Sequence, residues 1–248
     1  MKLDSATRWA FAIVLATTLG AFAGDKKDKA PGTQSVDAGS FGVFVKGQRV
    51  VTETFKIEQI NGESIIKSQL KETTGTDPAS QKSDLAITSS GERLHYEWSQ
   101  ASGGSLTVLP NNEFLLEKIS TSANGKPAEQ PFLMPSTSII LDNNFFIQRE
   151  VLVWHYLAAY CKLEGGPLQC QQQPGEFGAL IPQDRTSMRV RLEMVGKEKV
   201  TIRGAQRDLL RLNLSSETFE WTLWVDDQNQ FKLMKVAIPA DNTEVIRD

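Results

Sequence analysis

Residues 145–160 read FFIQREVLVWHYLAAY, without a Gly or Pro, and they limit the fold more than any other stretch of the chain. Asp142, Asn143 and Asn144 stand before them as N-cap candidates, and Gly165, Gly166 and Pro167 follow shortly beyond, so the segment predicts a helix of about four turns. At 100° per residue its apolar side chains point almost everywhere. Ile147, Val151, Trp154 and Ala158 lie on one side, Phe146, Val153, Leu157 and Tyr160 on a second, and Phe145, Leu152, Tyr156 and Ala159 on a third. Gln148, Arg149, Glu150 and His155 are its only polar residues. A helix that is apolar nearly all round has to be enclosed. With about 16 residues it falls short of the roughly 20 needed to span a bilayer.

The rest of the chain repeats with a period of two. Met188, Val190, Leu192 and Met194 alternate with Ser187, Arg189, Arg191 and Glu193; Leu210, Leu212 and Leu214 repeat the pattern, as do Phe219, Trp221, Leu223 and Val225. Leu94, Tyr96 and Trp98 alternate with His95, Glu97 and Ser99, and Phe55 and Ile57 with Thr54, Lys56 and Glu58. Turn signals such as Asn61-Gly62, Ser90-Gly91 and Asn111-Asn112 separate the runs. Half-wet strands joined by short turns give a mostly antiparallel sheet of about ten strands. A flat sheet would cover one side of the helix and leave the remainder in water. The expectation is therefore a mainly β fold: a curved antiparallel sheet, half-barrel or open barrel, wrapped around one buried helix.

The first residues read as an address. Lys2 and Arg8 precede an apolar run from Trp9 to Phe22, and Ala21-Phe22-Ala23 suits a signal peptidase that cuts before Gly24. The run of about 15 residues is short for an uncleaved anchor. Residues 1–23 are thus expected to be a cleaved signal peptide, 24–39 a flexible polar linker, and 40–248 a single β-rich domain with no further transmembrane segment. Cleavage would leave 25 basic against 29 acidic side chains, a balance that excludes a general nucleic-acid binder. In the periplasm, or outside the cell, Cys161 and Cys170 are expected to form a disulfide worth roughly 3 kcal/mol for a loop of about ten residues. Eight intervening residues do not suit a thioredoxin-like pair, and neither His stands at metal-ligand spacing from them.

The C-terminal run carries a resemblance. Leu212-Asn213-Leu214, Trp221-Thr222-Leu223-Trp224-Val225-Asp226-Asp227, Phe231 to Ile238 and Glu244-Val245-Ile246-Arg247 resemble the closing strands of exported bacterial proteins of unknown function. Their presumed fold is similar to the half-barrel of the lipoprotein carriers of outer-membrane sorting. The resemblance spans about 60 residues and implies fold only, with no ligand contact carried across.

Chemistry is sparse. Nucleophile elbow, phosphate loop, dinucleotide glycine cluster and zinc-helix motifs are all missing from the sequence, so no cofactor, metal or catalytic residue is expected. His155 is expected to be satisfied within the core, with Gln148 as partner. Arg149 and Glu150 either mark one solvent-facing strip, the simpler reading, or form a buried ion pair or a contact to a ligand head group. Two non-catalytic functions fit. A curled sheet can leave an apolar groove for a lipid or acyl chain, where Phe146, Trp154, Tyr156, Tyr160, Trp98 and Trp221 either line the groove or fill the core. Alternatively the chain binds another envelope protein through an exposed sheet face, with Trp224, which points away from Trp221, as the anchor.

Overall fold

The computed structural model describes residues 32–73, 80–122, 126–162, 168–171 and 173–248. The proposed signal peptide and the Gly165–Pro167 turn lie outside them. The chain first runs as a meander: β1 (Gln34–Val45), β2 (Gln48–Ile60), β3 (Glu63–Glu72), β4 (Gln81–Thr88), β5 (Arg93–Gln100), β6 (Ser105–Asn111), β7 (Phe114–Ser120) and β8 (Ala128–Phe132). It then passes through β9 (Ile139–Ile140), α1 (Ile147–Tyr160) and the short pair β10 (Cys161–Lys162) and β11 (Gln169–Cys170). A second meander returns through β12 (Gly175–Ile181), β13 (Thr186–Ile202), β14 (Ala205–Ser215), β15 (Glu220–Asp226), β16 (Lys232–Ile238) and β17 (Thr243–Arg247).

Apart from β10 and β11, which pair with each other, the described strands form one curved, open sheet of fifteen, ordered β8-β7-β6-β5-β4-β3-β2-β1-β17-β16-β15-β14-β13-β12-β9. The two meanders meet at its centre, where β1 pairs with β17 in the register Val43↔Val245. Among the described residues, only β9 runs parallel to its neighbour β12, and the other pairs are antiparallel. Bulges in β1, β4–β5, β13–β14 and β15–β16 bend the strands locally. Neither edge invites a further strand: β9 has two residues, and β8 carries Pro131, which has no N–H to offer.

Two details differ from the sequence reading. The strand count exceeds ten because short strands such as β8 and β9 are too brief to show a period. The first strand also begins at Gln34, inside the segment assigned to the linker. That segment shows little apolar pattern because its buried residue is Asp37, held by Arg247 and Lys232, with only the neighbouring Val36 packed against the core.

The crossover between the meanders carries the helix into the concave face. Ile147, Leu152 and Val153 pack in one cluster with Phe41, Phe55 and Ile57 of the first meander and Leu192, Leu223 and Val245 of the second. Every residue from Ile147 to Val153 is buried, whereas Ala158 and Ala159 are exposed, so the helix is enclosed for two turns and then emerges at the rim. A smaller cluster of Val200, Ile202, Leu209 and Met234, joined by Trp224 and Ile246, packs on the opposite face of the sheet. Leu209 and Leu210 are both buried because successive strand residues serve the two faces.

Candidate functional site

The helix is anchored by its polar residues. Its first amides are capped by a strand: Glu53 of β2 accepts the N–H of Phe146 at 2.6 Å and of Ile147 at 3.2 Å, while Ser68 donates to the same carboxylate at 2.7 Å. The expected caps do other work. Asp142 accepts the Asn144 amide at 2.8 Å and takes hydrogen bonds from Tyr96 and Gln183. Burial pushes the Glu53 carboxyl up to about 7 despite these donors, and raises Asp142 as well.

Gln148, Arg149 and Glu150 are fully enclosed, which overturns the solvent-facing strip. Gln148 Oε1 accepts the Asp142 amide at 2.7 Å. Arg149 donates to the carbonyls of Asp142 and Phe145 and lies 4.9 Å from the ring centroid of Trp221. Glu150 accepts the Leu233 amide at 2.7 Å and pairs with Arg247 at 3.0 Å; Arg247 also meets Asp37 at 2.5 Å, and Lys232 lies 3.0 Å from Asp37. Glu150 thus joins the helix to β16 and β17 and, through Arg247, to β1, while Gln148 and Arg149 tie it to the segment before it and to β15.

Where the helix emerges, an open groove of about 540 Å³ lies between its last turns and β12–β13. Its apolar walls are Met134, Pro135, Ala159, Phe177 and Met188, with His155, Ser138, Glu176 and Arg189 as polar members. The volume falls within the roughly 300–1,000 Å³ of ligand clefts. The groove exists because β9 covers β12 only at Ala179 and Leu180, leaving Gly178 beside the Met134–Ser138 segment.

None of the six aromatics expected to line a groove borders this one. Phe146 and Tyr156 are buried in the core, and Tyr156 stacks on Tyr160 at 5.6 Å. Trp221 packs beneath Arg149, Trp154 donates to the Gln230 carbonyl at 3.1 Å, and Trp98 donates to Gln81 at 2.9 Å. Phe146 and Tyr156 fill the core, while Trp98, Trp154, Tyr160 and Trp221 are half-buried and brace its margin. Trp224 is half-buried, with its indole N–H on Glu198 at 3.1 Å and Lys235 over its ring. His155 sits at the rim over Gly91, its pKa held low by burial, while the amide oxygen of Gln148, expected to serve it, accepts the Asp142 amide. Cys161 and Cys170 are bonded across the β10–β11 pair, as their spacing suggested.

Among the described residues no cluster of His, Cys, Asp or Glu is arranged to hold a metal, and no helix is long and apolar enough to cross a membrane. Comparison with known proteins finds no matching family model, and no curated protein or solved structure that the chain matches.

Proposed function

We propose that this is an exported cell-envelope protein, released into the periplasm or beyond by cleavage after residue 23, that binds a hydrophobic ligand such as a lipid or acyl chain without acting on it chemically. The observation that carries this reading is the groove at the helix rim, walled by Met134, Phe177 and Met188. Two methionines and an aromatic make a deformable apolar surface suited to chains of varying shape. The leader-like residues 1–23, the disulfide and the resemblance of the C-terminal strands to exported proteins support the compartment. The test is native mass spectrometry of protein purified gently from the producing cell, beside Met188→Glu, which sets a charge in the groove wall. Hydrophobic adducts on the parent and their loss from the folded variant are expected. A parent that carries no adduct and takes up no hydrophobic dye would overturn the reading.

A second reading rests on a different surface. Leu109, Phe114 and Leu133 lie where β6 and β8 end and β7 begins, and Leu133 is 80% exposed. Such a patch suits contact with another envelope protein. Under it, Leu133→Asp abolishes crosslinking to a partner in intact cells while ligand content is unchanged; unchanged crosslinking would remove it.

A further inference from the structure

Behind the groove, between α1 and the β4–β5 turn, lies a niche of about 20 Å³. Its walls are mostly aliphatic, Ile87 and Leu152 among them, but four polar side chains also border it: Arg93, Ser138, Gln148 and His155. Ser138 and His155 are shared with the groove, so the two spaces adjoin. Arg93, Gln148 and Ser138 are 2%, 2% and 5% exposed. Even so, Nε and Nη1 of Arg93, Nε2 of Gln148 and Oγ of Ser138 have no hydrogen-bond partner. Arg93 spends only Nη2, on the Ser138 carbonyl. Nothing in the alternation marks it as internal. The bulge that pairs Ala86 with His95 but Ile87 with Arg93 skips Leu94, and so turns Arg93 onto the concave face.

A buried guanidinium without a carboxylate is costly, and each orphan donor beside it adds to that cost. Among the described residues no acidic group forms an ion pair with Arg93. Burial alone lowers its pKa, to about 10. The donors therefore suit an anion from outside. The niche has room for little more than a water-sized group, since one water needs about 10–15 Å³, so the oxygen end of a carboxylate fits where a phosphate does not.

We propose that the niche seats the carboxylate of an amphipathic ligand of the fatty-acid class, with Arg93 as counter-ion and Gln148 and Ser138 as further donors. The hydrocarbon tail passes His155 into the groove walled by Met134, Phe177 and Met188. This rests on the hydrophobic-ligand reading and adds the head group to it.

The experiment is titration of the delipidated protein with palmitate, hexadecanol and hexadecyl phosphate, repeated on Arg93→Gln. Palmitate is expected to bind at least tenfold more tightly than either other probe, and Arg93→Gln to bring it down to the level of the alcohol. Equal binding of acid and alcohol to the parent overturns the carboxylate seat and leaves the groove standing. Preference for the phosphate overturns the ligand class, and failure of all three probes overturns the groove as well. The comparison among probes on the parent protein decides the matter even if Arg93→Gln does not fold.

Discussion

Glu53 lies 93 residues before Phe146 in sequence, yet its carboxylate accepts the Phe146 amide at 2.6 Å and so starts the helix from a neighbouring strand. The side chains next to the helix start supply no such cap. Glu53→Ala would leave two buried amides without their acceptor and the Ser68 hydroxyl with only the Thr54 carbonyl, a loss of about 2–4 kcal/mol. Glu53→Gln keeps an amide oxygen and is expected to lose less than half of that. Urea denaturation of the two variants beside the parent measures both.

Glu117 gives the fold a pH dependence. It is fully buried on β7, neither carboxylate oxygen has a hydrogen-bond donor, and burial raises its pKa from 4.5 to about 7. An acid held protonated in the folded state but ionised in the unfolded chain weakens folding as pH rises from about 4.5 to about 7, and the penalty is level above that. Glu117→Gln does not titrate. Its stability relative to the parent should therefore improve by about 1–2 kcal/mol between pH 5.5 and pH 8. Thermal or urea unfolding across that range checks the sign, and a gap that narrows with rising pH would refute it.

The curl and the enclosure of the helix's first two turns were legible because both follow from apolar periodicity: Met188 to Met194 alternates, and residues 145–160 are apolar nearly all round. The polar interior was not. Asp37, Arg93 and Arg149 look like surface residues in the sequence: Asp37 becomes internal through Arg247, 210 positions away, and Arg149, though its hydrogen bonds are to nearby carbonyls, lies on a helix that distant strands enclose. The groove escaped for a related reason. Its walls come from the Met134–Ser138 segment, the helix end and β12–β13, which no local pattern brings together. The bulge at Leu94 had no signal at all, and it alone puts Arg93 inside.

Arg247 holds the seam between β1 and β17, the first and last of the described strands. It reaches Glu150 on the helix at 3.0 Å and Asp37 on β1 at 2.5 Å, and burial with Asp37 nearby lifts the Glu150 carboxyl up to about 8 while Asp37 stays low. Arg247→Met leaves the buried Glu150 carboxyl without its cation and Asp37 with Lys232 alone, and should cost about 3–5 kcal/mol. Adding Glu150→Gln removes the ionisable group that has lost its cation and keeps an acceptor for the Leu233 amide. The double variant is expected to recover part of the loss, as a double-mutant cycle would measure.

The Cys161–Cys170 bond closes a loop between the end of the helix and β12, where the helix has already left the core. Replacing both cysteines by Ser is expected to cost about 3 kcal/mol through the freed loop of the unfolded chain. The loss should equal the effect of a reductant on the parent, and reductant should leave the double variant unmoved. Calorimetry with and without reductant compares them.

Gly91 and His155 meet where the niche opens toward the groove. Gly91 has a φ of +84°, and a Cβ there would fall within the van der Waals envelope of His155 Cε1. Gly91→Ala therefore carries two penalties, one in the backbone and one in the displaced imidazole, together about 1–3 kcal/mol. His155→Ala added to Gly91→Ala relieves the second and leaves the first, so the pair should couple by about 0.5–1.5 kcal/mol. The displaced ring has the groove beside it. Gly91→Ala alone should then weaken hydrophobic-probe binding more than its stability loss explains, and the double variant should bind more tightly than Gly91→Ala. Additive stabilities together with unchanged probe affinity would show that His155 does not stand at the passage.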